Sequence, residues 1–337
     1  MSLKKVSHLT GLSIATISHV INGTRTVSPQ SRKKVMEAVQ KIGYKPNLAA
    51  RILKTKISKT IALVIPGVEP KRSTNYFFMD VITGVRNKLI EVDYDLIVST
   101  YGESKGEKDL RALQVLKKQW VDGILIVPDR KDGEQIKQIN EINIPCVIID
   151  RRIDGGRISS VDSNNEKGAY DAVKILCDSG KKRIGFVGGY LHTSTGYGRF
   201  NGYKKAINEL GLVFDESIIA LNDCFTIKSG ISSAKKLLEN NIDGIFVADN
   251  LLTMGVMKHL MYDKIKIPDQ IGVVGYDDYD WMELVTPTLT TIKQQAYEMG
   301  YIAAEILLRK LNGFEGNEKI ILDTKLIIRE SHGIIRV

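Results

Sequence analysis

The chain has 337 residues, 43% of them hydrophobic and 26% charged, a composition typical of soluble globular proteins and long enough for two lobes or a core with an appendage. No apolar run approaches the roughly 20 residues that span a bilayer. The net charge of +9 is local: residues 1–60 hold 12 Lys and Arg against one acid, Glu37, while the remainder carries 36 basic and 38 acidic residues. A solvated basic face is the plain explanation, but so sharp an asymmetry favours a polyanionic partner, nucleic acid first.

Residues 1–45 predict three short helices and no strand. The first covers about Leu3 to Thr10 and is expected to bury Val6 and Leu9. Gly11 makes the turn, and Ser13 suits the N-cap of a second helix in "GLSIATISHVING" (11–23). The third begins at Ser28-Pro29, a cap followed by proline at the first helical position, and ends near Gly43. In the second helix, Ile14, Ala15, Ser18 and His19 share one side and Thr16, Ile17 and Val20 the other. The first side carries no charge, which is unusual for a face turned to water. Two short helices joined through a glycine turn, with a third behind them, have the spacing of a helix-turn-helix. A recognition helix enters a major groove about 12 Å wide, so small side chains let its backbone approach. Ile14 and Ala15 suit thymine methyls and His19 a guanine, while Ser13, Thr16 and Asn22 are placed to bond phosphates. The competing reading is a helical cap packed on the larger domain, with Ile14 in its core.

"NLAARILKT" (47–55) is a fourth helical candidate, capped by Asn47. It is shorter than the roughly 12 residues an isolated helix needs in water, so it should order only when something compensates. A flexible linker is the alternative.

From Ile61 the pattern changes to short apolar strands alternating with amphipathic helices: "IALVIPG", "DLIVST", "GILIVP", "PCVIID", "RIGFVGG", "SIIALN", "GIFVAD" and "IGVVGYD". Strands of this kind, buried on both faces, predict an α/β fold with doubly wound parallel sheets. About nine strands divide best into two similar lobes, with ligands bound beyond the carboxyl ends of the strands. "IID" (148–150), "VAD" (247–249) and "GYDD" (275–278) place acids there. Helix capping is the alternative role for Asp150, Asp249 and Asp277.

Cys146, Cys177 and Cys224 lie far apart without metal spacing and are expected to be buried thiols in a reducing cytoplasm. "MSLKKVSHLT" lacks the apolar core of a signal peptide. The glycine-rich "FVGGYLHTSTGYG" fits neither the dinucleotide fingerprint nor the P-loop, and no catalytic group, metal cluster or cofactor motif is found, so an enzyme is not expected. His192 reads as a loop residue. A solute-binding protein of a transport system would share the core but carry an export signal and no basic headpiece.

"VSHLTGLSIATISHVING", "VSPQSRKKVMEAVQKIGYKPNLAARILKT", "VVGYDD" and "TPTLTTIKQ" together resemble the lactose-repressor (LacI/GalR) family of bacterial transcription regulators over nearly the whole chain. The resemblance implies a helix-turn-helix headpiece (1–45), a hinge helix (46–58) and a two-lobed core similar to periplasmic sugar-binding proteins (59–337). Lobe 1 would hold about 59–161 and 295–322, and lobe 2 about 162–291 and 323–337. It implies a homodimer on a near-palindromic operator, regulated by a small effector, and the absence of a heptad tail after "LIIRESHGIIRV" implies no tetramer.

Carried over, the DNA-contacting set is Ser13, Ile14, Ala15, Thr16, Ser18, His19, Asn22, Ser28 and Tyr44, with Asn47, Ala50, Arg51, Leu53 and Lys54 in the hinge. Leu53 would be the minor-groove wedge. His19 stands where most relatives have arginine, offering one bond to guanine where arginine makes two, and Lys5 replaces a common aspartate. The effector set is Asp150, Arg151, Arg199, Phe225, Asp249, Asp277 and Gln294, with Asn75, Phe77 and Phe78 from "STNYFFMD", similar to the "NPFF" of sugar-binding relatives. "ADN" at 248–250 replaces the common "AND", leaving open which of Asp249 and Asn250 faces the ligand.

Overall fold

The computed structural model describes residues 3–22, 25–43, 57–67, 76–101, 120–128, 138, 141, 144–153 and 158–334. The chain divides into two compact units, residues 1–58 and 59–337.

In the first unit, α1 (Leu3–Thr10), α2 (Ile14–Asn22) and α3 (Pro29–Lys41) close on Val6, Ile17, Val20, Val35 and Ala38. Leu9, expected in this core, is 54% exposed. Helices this short bury only a narrow stripe, and Leu3 and Leu12 pack along its edge instead. The turn between α1 and α2 is closed by hydrogen bonds. Gly11 takes φ +66 and its N–H donates to the Ser7 carbonyl at 2.9 Å. The Ser7 hydroxyl donates to the Leu12 carbonyl at 2.7 Å. Ser13 caps α2, its hydroxyl accepting from Thr16 N at 3.1 Å, and Ser28 caps α3 through Ser31 N at 3.3 Å. With five buried residues in the core, caps contributing about 1 kcal/mol each are a real share of stability.

Among the described residues, the second unit contains two six-stranded sheets. One has the order β11-β5-β4-β3-β1-β2, from β1 (Thr60–Pro66), β2 (Asp95–Tyr101), β3 (Gly123–Ile126), β4 (Cys146–Ile149), β5 (Ser159–Ser163) and β11 (Lys319–Leu322). The other has the order β12-β10-β9-β8-β6-β7, from β6 (Ile184–Gly189), β7 (Ile219–Asn222), β8 (Gly244–Val247), β9 (Gly272–Tyr276), β10 (Thr290–Lys293) and β12 (Lys325–Ile327). Every strand pair is parallel except β10 with β12. The two orders are one winding executed twice: β1 to β5 correspond to β6 to β10. The chain passes between sheets three times, after Ser163, after Lys293 and between Leu322 and Lys325.

Four strands escape a search for apolar runs: β5, β10, β11 and β12. β5, "SSVDS", is buried throughout and β10, "TTIK", nearly so. They tolerate burial because their hydroxyls find partners. Ser159 Oγ accepts from Glu318 N at 3.0 Å, and Thr290 Oγ1 bonds His332 Nδ1 at 2.8 Å.

The described helices of this unit are α4 (Tyr76–Ile90), α5 (Asn165–Asp178), α6 (Ser194–Glu209), α7 (Ile227–Leu238), α8 (Asn250–Tyr262), α9 (Trp281–Leu284) and α10 (Ala296–Leu311). Helix α4 lies against α10 at backbone distance: a Cβ on Gly84 would come 2.0 Å from the Tyr297 carbonyl oxygen. Cys146 is buried and its thiol is pushed up to about 12 by burial, whereas Cys177 and Cys224 are only half-buried; all three are free. Among the described residues no helix is long and apolar enough to cross a membrane.

Candidate functional site

The headpiece presents α2 outward by one face. Ile14 is 43% exposed and Ala15 is exposed, Ser18 and His19 are half-buried, and Ile17 and Val20 point into the core. The Ser13 and Thr16 hydroxyls hold each other at 2.9 Å at the start of α2. The side chain of Asn22 and all of Tyr44, Asn47, Ala50, Arg51, Leu53, Lys54 and Asn75 lie outside the described residues.

In the second unit, the two windings bring the carboxyl ends of their strands to a common cleft. Asp150 directly follows β4 and Asp277 directly follows β9; both are buried and take left-handed backbone angles. Neither caps a helix. Asp277 accepts at one oxygen from Gln294 Nε2 (2.7 Å) and at the other from Asn250 Nδ2 (3.1 Å). Asp249, by contrast, is a cap: its Oδ1 accepts from Leu251 N at 2.9 Å and Leu252 N at 3.0 Å. Of the "ADN" triplet, Asn250 is the residue whose side chain hydrogen-bonds Asp277. The order of the two is decided by where α8 starts, because the residue at its N-cap must turn its carboxylate back to the helix.

Arg199, from α6, is buried and held on three sides. Its Nε donates to Asn165 Oδ1 and its Nη1 to the Ala248 carbonyl, each at 2.8 Å. Its guanidinium lies 3.8 Å from the Tyr276 ring centre, and the Tyr276 hydroxyl donates to the same Asn165 oxygen at 3.1 Å. Burial opposes the charge of Arg199, but Tyr276, Asp277, Asp150 and Asp249 around it raise its pKa above the ordinary value. Asp150 is raised by burial, with Arg151 and Arg199 pulling it down and Asp277 pushing it up. Charges from both windings thus face one another across the cleft.

Among the described residues, two buried polar atoms here have no hydrogen-bond partner: Gln294 Oε1 and Arg151 Nε, the latter 3.7 Å from Asp150 Oδ2. Phe225 meets Tyr190 edge-on at 5.0 Å, a Cβ on Gly189 would come within 2.4 Å of it, and it packs partly against the core of the second sheet. Phe77 does not belong to this surface. It is 5% exposed and packs in the core of the first sheet with Val81 and Val85, while Phe78 packs partly against that core. Both follow the apolar side of α4.

Asn165 and Tyr276 belong to this cluster without any site signal in the sequence. Asn165 sits in a polar stretch just past β5, a strand without an apolar signature, and Tyr276 reads as an ordinary strand residue. A separate cavity of about 600 Å³ lies beside Asn164, Tyr170 and Ile321. Within its charged lining, Lys205 pairs with Glu166 at 3.6 Å and Lys167 with Asp171 at 2.5 Å, and Arg152 is engaged by Asp162 at 2.7 Å from outside the lining. No group of His, Cys, Asp and Glu among the described residues is placed to hold a metal.

Residues 2–47 match the family described as "Bacterial regulatory proteins, lacI family", and residues 158–332 match the "Periplasmic binding protein-like domain". The chain is 33% identical over 334 residues to the HTH-type transcriptional regulator RegA of Clostridium saccharobutylicum, covering 98% of each. Among solved structures it is similar to the complex of transcriptional regulator CelR with cellobiose, at 29% identity and TM-score 0.76, covering 98% of this chain and 99% of that one. The fold also matches the lac repressor dimer bound to operator and the anti-inducer ONPF, at 24% identity and TM-score 0.87, covering 99% of each. The relatives are transcriptional regulators, not enzymes. A helix-turn-helix headpiece and a two-winding ligand-binding core, matched over almost the whole length, mean that the chain belongs to the lacI family of bacterial regulatory proteins.

Proposed function

We propose that this regulator is a repressor that binds a near-palindromic operator as a homodimer and is controlled by a sugar or sugar derivative held between the two windings of its core. The observation that carries the effector assignment is the cleft's polar set: one buried arginine facing two carboxylates, with Gln294 Oε1 and Arg151 Nε unpartnered among the described residues. Arginine and carboxylate pairs suit adjacent hydroxyls, and the Phe225 side chain suits the apolar face of a sugar ring. The acids match or outnumber the arginines here, which favours a near-neutral polyol over a highly anionic ligand. The similar regulator CelR, whose structure is a complex with cellobiose, supports the same class.

For DNA, the reading rests on the exposed uncharged face of α2 within a strongly basic segment. Ile14, Ala15 and His19 are the proposed base-reading residues, with Ser13, Thr16, Ser18, Asn22, Ser28 and Tyr44 supporting register. One headpiece offers little contact, which favours two on a symmetric site. Residues 46–58 are proposed as a marginal hinge ordered on DNA, with Leu53 as the wedge. Ligand closure of the core would shift that equilibrium, and DNA affinity with it.

The test is a gel shift on a selected palindromic site against a panel of sugars. A change in operator affinity with one sugar class, lost in Arg199→Ala, is the expected result. An operator affinity indifferent to the whole panel would overturn the sugar assignment.

A further inference from the structure

One aromatic contact between the two windings is accounted for neither by the polar cluster nor by the family resemblance. Tyr76 is the first residue of α4, in the winding of the first sheet, and is 50% exposed. Tyr279 lies two residues beyond Asp277, in the other winding. Their ring centres are 5.2 Å apart with planes at 45°. Van der Waals contact between rings at this distance leaves no room for a ligand group between them.

The pair also lies beside the polar cluster. Tyr279 hydrogen-bonds the Asn250 side chain, the same side chain that donates to Asp277 at 3.1 Å. Asp80, one helical turn on from Tyr76, faces Lys293 and Asp277, so the first turn of α4 stands beside the Asp277 end of the polar cluster. Burial, with Asp277, Asp80 and Asp249 nearby, holds the Tyr279 phenol protonated well above the usual range. A neutral hydroxyl anchored on Asn250 fixes one ring, and the half-exposed Tyr76 is the movable partner.

We propose that Tyr76 and Tyr279 form a gate that limits effector size at the Asp277 end of the cleft, so that a ligand longer than one sugar ring in that direction must part the two rings. This rests on the cleft being the effector site, and it makes Tyr76 and Tyr279 specificity-determining residues without a direct role in holding a single ring.

The test is titration calorimetry on the full-length protein with matched pairs: glucose with cellobiose and with maltose, and galactose with lactose. The readout is the ratio of monosaccharide to disaccharide affinity in wild type, Tyr76→Ala and Tyr76→Trp. In wild type the monosaccharide of the responding pair is expected to bind about tenfold tighter or more, a ratio that falls severalfold in Tyr76→Ala and does not fall in Tyr76→Trp. A disaccharide that binds wild type as well as its monosaccharide, or a ratio unchanged in Tyr76→Ala, overturns the gate and leaves the sugar assignment standing. Binding of no member of any pair to wild type overturns the gate, and the sugar assignment falls only if operator affinity is also indifferent to the whole panel.

Discussion

Asp150 and Asp277 hold the same position in the two halves of the core. Each follows the fourth strand of its winding, with φ of +67 and +64, and each donates its backbone N–H to the fifth strand, to Val161 O at 2.9 Å and Ile292 O at 2.8 Å. A non-glycine residue pays for this backbone region in strain, and aspartate adopts it more readily than most. The repeated winding therefore delivers one buried carboxylate from each lobe to the cleft.

Removing the second of these should separate ligand response from DNA binding. Asp277→Ala leaves the Asn250 and Gln294 amides without their acceptor, at roughly 1–3 kcal/mol each in stability. Effector titration of a gel shift should show no response, while operator affinity without effector stays within a few-fold of wild type. A normal titration curve would remove Asp277 from the site.

The headpiece should be the first part lost to core substitutions. Ile17 is fully buried in a cluster of five buried residues. Ile17→Ala should cost roughly 2–5 kcal/mol, enough to unfold so small a unit. Operator binding should disappear while sugar binding by the core persists; a headpiece that keeps its helical NMR dispersion would contradict this.

Base reading and wedging can be told apart by choice of DNA. His19→Ala should relax preference at one position per half-site in a selection experiment, because one donor is withdrawn from a base edge. Leu53→Ala should weaken operator binding far more than binding to random duplex, since only the operator complex gains from the wedge. Equal losses on both DNAs would count against the wedge.

Stability should depend on pH in a direction opposite to that of a surface ion pair. Burial, with Asp150 adding to it and Arg152 opposing, pushes the Asp162 carboxyl from 3.8 up to about 7. Burial likewise raises Asp249 to about 6 against its capping bonds. An acid whose pKa is higher in the folded chain binds more protons there, so its contribution is fully present below the unfolded value and is lost as pH rises through the folded one. The core's Tm should therefore fall between about pH 4 and pH 7. Asp162→Asn should flatten the upper part of that fall, raising Tm at pH 8 and not at pH 5; parallel profiles for the two proteins would show that Asp162 does not titrate in this way.

Much of this molecule is legible in its amino-acid order. The apolar parallel strands announce themselves because both of their faces are covered, and the α2 stripe of Ile17 and Val20 against Ile14 and Ala15 follows from helical spacing alone. Charge concentration in residues 1–60 needs no coordinates at all. Where local pattern and burial part company, only the tertiary structure decides. Strands β5 and β10 are buried yet polar, because distant groups such as Glu318 N and His332 complete their hydrogen bonds. Leu9 is apolar yet exposed, and Phe77 is aromatic yet belongs to the core of a sheet. Asp249 and Asn250 differ by one position, and the start of α8 assigns the first to the helix and the second to Asp277. Nothing local could bring Tyr76 to Tyr279 across some 200 residues of chain. That contact comes from two windings closing on each other, and closure depends on the sum of long-range packing, which no window of neighbouring residues contains.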